Sequence, residues 1–273
     1  MNDLQRKELE MLTHFVRVCE TLGLRYYLVC GTALGAVKYG GFIPWDDDVD
    51  VALCRKDYEI FIREAPKHLP SNLFVQTFHT EPHYPITYCK LRDSDTTYIE
   101  KNCAHLPMNH GVYIDVFPLD GYPEGRIAGW RVEMGKKIFH LKQTCSLEGR
   151  YSPKVRCIRK LLRLFGVHKR GAKIAAACER LLTRYPTEDS ALWCNHGNWQ
   201  GKLEYAPREQ YGEGMTARFE GLEVRVPAGF DEYLTQKYGD WRADLPEEQK
   251  VGHHYYEVMD LTRPYTEYMN QKS

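Results

Sequence analysis

The chain has 273 residues, 43% hydrophobic and 27% charged, with 37 Lys and Arg against 37 Asp and Glu. That composition describes a soluble globular protein with core enough for one large domain or two small ones. Zero net charge leaves no global nucleic-acid footprint, and no apolar run reaches the ~18 residues that span a bilayer.

The opening MNDLQRKELEMLTHF is charged and helical, unlike a signal peptide. Its period predicts a helix over 3–22, with Leu4, Leu12, Phe15, Val16 and Cys19 on one face and Gly23 as the stop. RYYLVC (25–30) reads as a short strand. GTALGAVKYGG (31–41) reads as a turn, a brief helix and a Gly-Gly exit, and DDDVDVAL (46–53) as a second strand. Asp57 is placed to cap a helix carrying Tyr58, Phe61 and Ile62 that stops near Pro66. PITYCKLRD (85–93) and GVYIDVFPLDG (111–121) supply a third and a fourth strand. Residues 125–185 are mostly helical, and TARFEGLEVRV (216–226) alternates as a hairpin. FDEYLTQKYG (230–239) sets Phe230, Tyr233, Leu234 and Tyr238 on one helical face, and the polar tail from 262 is expected to fray. The nine cysteines form no CxxC, so a zinc knuckle is not expected and the thiols read as reduced, mostly small core residues of a cytosolic protein. Strands and helices alternate early and helices dominate later, which indicates an α+β catalytic core (1–123), a mainly helical insertion (124–215) and a C-terminal part (216–273) packed back on the core as one unit.

The informative stretch is GFIPWDDDVDVAL (41–53), where Asp46, Asp47, Asp48 and Asp50 run into an apolar strand. Packed carboxylates repel, and burying them unpaired is costly. Strand alternation turns Val49, Val51 and Leu53 to the core and sets Asp48 and Asp50 on the other face, with Asp46 extending the row and Asp47 facing away. Two carboxylates so spaced hold a hard divalent cation through oxygen; a solvated acidic turn is the alternative. An EF-hand is rejected, because its sixth position would be Val51 where that loop needs glycine. Upstream, Gly31-Thr32 ends a strand and opens a helix, a place where backbone can approach a phosphate. Downstream, Asp115 stands alone in an apolar strand, as a hydrogen-bonded structural residue or as a third metal carboxylate.

A strand ending in a small-residue pair, a D-h-D-h strand (h apolar) and a third carboxylate strand resemble the polymerase-β-like nucleotidyltransferases. More specifically, GTALGAVKYGGFIPWDDDVDVAL resembles the signature of the LicD family, which includes the fukutin-type proteins. KLRDSDTTYIE (90–100), GVYIDVFPLDGYP (111–123) and YGDWRADLPEEQKVGHH (238–254) agree with it. The resemblance implies a short mixed sheet flanked by helices, and transfer of phosphocholine or a related phospho-alcohol from a CDP-activated donor, CDP-choline above all. The acceptor would be a hydroxyl of a cell-surface glycan, such as a teichoic acid or lipopolysaccharide, or of its lipid-linked precursor, and CMP would leave. It implies Mg²⁺ or Mn²⁺, one ion or two, on Asp48, Asp50 and Asp115, with Asp115 also available as proton acceptor. Gly31 and Thr32 match the small-residue pair, and Lys38 stands where many members have Arg. Nucleotidyl transfer from an NTP to a small molecule or protein would use the same carboxylates.

Lys90 and Arg92 share a strand face as phosphate contacts or as solvated cations. Of the adjacent His253 and His254, at most one faces the site, and the resemblance favours His254. Choline would need aromatic faces, and Tyr39, Trp45, Tyr113 and Tyr122 lie near the acidic motif in sequence. From Gly149 to Cys178 there are nine Lys or Arg and no Asp or Glu. Within 153–167, Val155, Ile158, Leu162 and Phe165 form a helical stripe flanked by Arg156, Arg159, Lys160 and Arg163. That helix is either docked on the core with a solvated basic side or laid on the inner face of the cell membrane, and it can also steer an anionic acceptor.

Overall fold

The computed structural model describes residues 1–149, 151–164, 166–167, 171–197, 201–252 and 255–269. Asn2 starts α1 (Asp3–Leu22) with a reciprocal cap: its side chain accepts the Gln5 N–H, and the Gln5 side chain accepts the Asn2 N–H. Gly23, left-handed at φ 64°, stops the helix as expected. β1 (Tyr26–Leu28) leads into α2 (Cys30–Lys38) through Cys30, whose φ of 51° is rare for a residue with a side chain. β2 (Asp50–Cys54) begins four residues later than the acidic motif suggests. Pro44 is exposed, and the Asp46 N–H closes a turn onto the Ile43 carbonyl at 2.9 Å, so residues 46–48 form a loop before the strand. In α3 (Arg55–Glu64), Asp57 is no cap; it lies in the first turn and accepts the Arg25 N–H.

The four strands β3 (Leu73–Gln76), β4 (Cys89–Asp93), β5 (Thr97–Glu100) and β6 (Val112–Tyr122) follow. The middle region supplies α4 (Arg126–Ser146), α5 (Pro153–Leu164) and α6 (Gly171–Leu182), then the short β7 (Leu192–Cys194) and β8 (Tyr205–Pro207). After α7 (Arg208–Tyr211), β9 (Met215–Phe219) and β10 (Leu222–Val226) make the expected hairpin. Glu220 and Gly221 turn it, both at positive φ. α8 (Phe230–Tyr238), β11 (Tyr256–Asp260) and α9 (Tyr265–Met269) complete the chain.

The main sheet runs β1-β2-β6-β4-β3, with β7 and β8 continuing from the far end of β6. Only β2 and β6 among these neighbours are parallel, so the sheet is mixed and the α+β expectation holds. α1 packs across β6, and α3 across β2 and β6. The middle segment is less purely helical than its sequence suggests. β7 pairs Cys194 with Asp120, so the segment completes the sheet. The expected frayed tail is also tied down: the Thr97 hydroxyl donates to the Arg263 carbonyl at 2.8 Å, and the Tyr265 N–H to Thr96 at 3.0 Å.

Two buried ion pairs were not legible as such. Asp120 lies within β6 and accepts Arg55 Nε and Nη2 at 2.7 and 2.8 Å. Arg92, expected at a phosphate, is fully buried. Its Nε donates to Gln76 Oε1, its Nη1 to the Gly111 carbonyl and its Nη2 to Glu100 Oε2, at 2.7, 2.7 and 3.1 Å. A guanidinium so occupied cannot reach a ligand, and Arg92 is a core residue. Truncating one partner of a buried pair costs about 3–5 kcal/mol. Arg92→Ala should lose about that much unfolding free energy in urea titrations, and an undiminished midpoint would contradict this placement.

Candidate active site

The parallel pairing of β2 and β6 sets Asp50 directly opposite Asp115, and the antiparallel pairing of β4 sets Lys90 on the other side of Asp115. Lys90 is buried, with its Nζ 3.0 Å from Asp115 Oδ1, 3.8 Å from Glu100 Oε1 and 3.1 Å from the Tyr113 ring centroid. Its charge is therefore used inside the protein and not on a phosphate, which corrects the expectation from sequence. Asp115 also receives the Tyr88 hydroxyl at 3.4 Å.

α2 is bolted to the start of β2. The Thr32 hydroxyl accepts the Asp50 N–H at 2.8 Å, and the Asp50 carbonyl accepts the Val29 N–H at 3.0 Å. Thr32 thus orients the Asp50 backbone. Gly31 makes room for an acid: a Cβ there would lie 2.8 Å from Asp46 Oδ2. The 46–48 loop is held from α1, where Gln5 Nε2 donates to the Asp46 carbonyl at 3.0 Å.

Asp46, Asp47 and Asp48 each offer an oxygen within 4.8 Å of the others. Asp47, expected to face away, joins this group because residues 46–48 are loop and obey no strand alternation. Asp46, Asp48 and Asp50 line one cleft of about 370 Å³ together with Gly31 and Lys38. Four aromatic rings border the same cleft, Tyr39 and Trp45 from the early chain and Tyr238 and Trp241 from the late one. Of the other two aromatic candidates, Tyr113 is buried beneath Lys90, and Tyr122 packs on Tyr205. Lys38 Nζ donates to the carbonyls of Trp241, Arg242 and Ala243 at 3.3, 3.0 and 2.8 Å. It clamps the late wall of the cleft and is already engaged, a different role from the expected phosphate contact. His254 lies outside the described residues.

Burial pushes the Asp50 carboxyl well above its usual range, and the charges of Asp48, Asp115 and Asp46 push it further. Lys237 opposes this from α8, where it is buried against Glu204 Oε1 at 2.7 Å. A second carboxyl feels the same field. Glu8 of α1 is 2% exposed, and burial followed by Asp48, Asp47, Asp46 and Asp115 raises its pKa strongly. Neither Glu8 nor Lys237 was singled out from sequence. The oxygen-only donors and their crowding fit a hard divalent cation.

Residues 23–137 match the family model described as LicD/FKTN/FKRP, nucleotidyltransferase domain. This segment is a LicD-family domain. Over 262 residues the chain is 28% identical to the lipopolysaccharide cholinephosphotransferase LicD of Haemophilus influenzae, covering 93% of this chain and 95% of that protein. A stretch of 48 residues is 44% identical to the ribitol 5-phosphate transferase FKRP of Homo sapiens, 18% of this chain and 10% of that protein. The LicD domain holds Gly31, Thr32, Asp48, Asp50 and Asp115, whereas Glu8, Lys237, Tyr238 and Trp241 lie outside the matched segment.

The raised Asp50 carboxyl has a pH consequence. Between the ordinary value of 3.8 and its folded value, the native state keeps a proton that the unfolded chain releases. Stability contributed by that proton is complete below 3.8 and is lost as pH rises through the folded pKa. In EDTA the Tm should therefore fall as pH is raised from 4 towards neutrality, and Asp50→Asn should flatten the fall. A wild-type Tm that climbs over that range in parallel with the variant would contradict the assignment.

Proposed function

We propose that this protein transfers phosphocholine, or a closely related phospho-alcohol, from a CDP-activated donor to a hydroxyl of a cell-surface glycan or its lipid-linked precursor. The observation that carries the reading is the shared cleft. A carboxylate row suited to a divalent cation opens beside four aromatic faces, and a quaternary ammonium seeks such faces. The whole-length likeness to a cholinephosphotransferase agrees with it. The parallel β2–β6 pair with carboxylates at its mouth also supports a polymerase-β-like core.

In the proposed reaction the acceptor oxygen attacks the phosphorus bearing the alcohol, the bond to the bridging oxygen breaks, and CMP leaves. Mg²⁺ or Mn²⁺ held by Asp48 and Asp50, with Asp46 beside them, would neutralise the diphosphate and the developing charge on CMP. Thr32 fixes Asp50, Gly31 keeps the α2 N-terminus open, and Asp115, faced by Lys90, takes the acceptor hydroxyl's proton. The aromatic walls bind the choline head or the cytosine ring and exclude water.

The acceptor brings the enzyme to a membrane surface. No helix among the described residues is long and apolar enough to cross one. α5 buries none of its residues, and its Val155 and Ile158 line a groove with Leu141 of α4. Exposed apolar side chains extend beyond the stripe read from sequence, to Ile127, Trp130 and Ile138 on α4 and Leu161 and Leu164 on α5. Arg131, Lys137, Arg156 and Lys160 are exposed beside them. Such a basic, apolar face suits anionic lipid. The protein should float with phosphatidylglycerol vesicles and not with phosphatidylcholine vesicles, and Trp130→Ala with Leu161→Ser should weaken flotation. Equal flotation with both lipids would remove the electrostatic part of the claim.

The donor is tested by thermal shift with CDP-choline, CDP-ribitol, CDP-glycerol, CTP and ATP, each with Mg²⁺ or EDTA. A ligand at ~100 times its Kd adds ~2.7 kcal/mol of stability. A Mg²⁺-dependent rise with CDP-choline is expected, and Asp48→Asn should cut CMP release by about 10²–10³-fold, as loss of one electrostatic group does. A rise with CTP or ATP alone, with pyrophosphate released, would instead favour nucleotidyl transfer.

A further inference from the structure

α1 lies outside the segment that matches the LicD domain, yet one of its faces is built into the acidic site. Leu4, Glu8 and Leu12 follow one another at helical spacing, and all three are buried. On the same side, Gln5 holds the loop that carries the acids, donating to the Asp46 carbonyl at 3.0 Å and the Ile43 carbonyl at 3.4 Å. One turn on, Glu8 is 2% exposed, and its Oε2 has no hydrogen-bond partner among the described residues. Burial first, and then the charges of Asp48, Asp47, Asp46 and Asp115, push its carboxyl well above the usual range. Its neighbour Lys7 is turned to Asp93 and Glu10, at 3.2 and 3.0 Å. Lys90 lies on Asp115, and Lys38 on the backbone carbonyls of the late wall. A buried carboxylate with a bare oxygen, set beside four others, destabilises a fold that a leucine or glutamine at the same place would not. A counter-charge shared with the aspartate loop removes the conflict.

We propose that Glu8 is a positioning residue of the cation site: its free carboxylate oxygen faces the divalent cation held at Asp46–Asp48 and Asp50 and orients the water bound to it. α1 then serves the site twice, with Gln5 fixing the loop backbone and Glu8 supplying charge from behind. This rests on the divalent-cation reading of the acidic cleft. Outer carboxylates of this kind typically change metal affinity by about 10–100-fold when removed.

The test measures Mn²⁺ binding by EPR on the full chain for the wild type, Glu8→Gln and Asp48→Asn, with melting of each in EDTA. Glutamine keeps the size and the hydrogen-bonding reach and removes the charge. Glu8→Gln should bind Mn²⁺ at least 10-fold more weakly than wild type, at the low end of that range, and should melt higher in EDTA at alkaline pH, where ionising the buried Glu8 carboxyl costs the wild type stability that the amide does not lose. A residue needed only for packing or helix stability would melt lower and keep its Mn²⁺ affinity, and that pair of results would overturn the proposal. If Asp48→Asn abolishes binding while Glu8→Gln binds like wild type, the cation reading stands and the Glu8 inference fails. If the wild type binds no Mn²⁺, both fail together.

Discussion

Repulsion among the acids at the mouth of β2 is the constraint around which the rest is arranged. Asp50 is drawn into the protein because Val49, Val51 and Leu53, all fully buried, anchor the strand on either side of it. Each such side chain contributes about 1.5–3 kcal/mol by leaving water, so three outweigh the cost of one strained carboxyl. The register with β6 then forces Asp115 alongside. Nearby devices hold this arrangement against its own charge. Thr32 takes the Asp50 N–H, Gly31 leaves room for Asp46, Gln5 ties down the loop, and Lys90 faces Asp115. These contacts fix the loop's backbone and its neighbours, and in the proposed reaction its carboxylates are what a cation and a diphosphate would meet.

The positive side chains near the site are engaged within the protein. Lys90, Arg92, Lys38 and Lys237 all have acids or carbonyls as partners. A binding cleft whose attraction for phosphate came from lysines would hold its product as tightly as its substrate. In the proposed reaction, a cleft that is acidic until a cation enters would hold the diphosphate donor only through that cation. The walls do a different task. Lys38 clamps the 241–243 backbone against α2, so the aromatic rings of the late chain are set by a residue of the early one.

The acids were legible in the sequence, and their supports were not, for a physical reason. Four aspartates running into alternating valines announce both a strand and a site, since apolar alternation fixes which residues go in. The start of the strand was misplaced because Pro44 and the turn at Ile43 decide it, and this moved Asp47 into the acidic group. For Lys90 and Arg92 the alternation correctly put both on one face. It could not say that Glu100 would arrive from β5 to meet them before any phosphate. The short strands β3, β5, β7 and β8 escaped notice because their partners are distant in sequence and their own three or four residues carry almost no period. The 216–226 hairpin was plain, because its partners are adjacent and a Glu-Gly turn joins them. Glu8 did leave a trace: an acid midway between Leu4 and Leu12 interrupts an otherwise apolar stripe.

The division of labour along the chain bears on selectivity. The carboxylates and the glycine-threonine pair belong to the LicD domain, and the likeness to FKRP, a ribitol 5-phosphate transferase, covers only 48 residues. Tyr238 and Trp241 come from beyond that domain, and the likeness to LicD of Haemophilus influenzae runs the length of the chain. Chemistry at the phosphorus needs the carboxylates whatever alcohol is carried. Choice of alcohol needs a wall that fits it. A pentitol presents hydroxyls that demand hydrogen-bond partners, whereas a trimethylammonium presents methyl groups and a diffuse positive charge that aromatic faces satisfy. Tyr39, Trp45, Tyr238 and Trp241 give the cleft the aromatic faces that a trimethylammonium seeks, and within the proposed reaction those four rings favour choline.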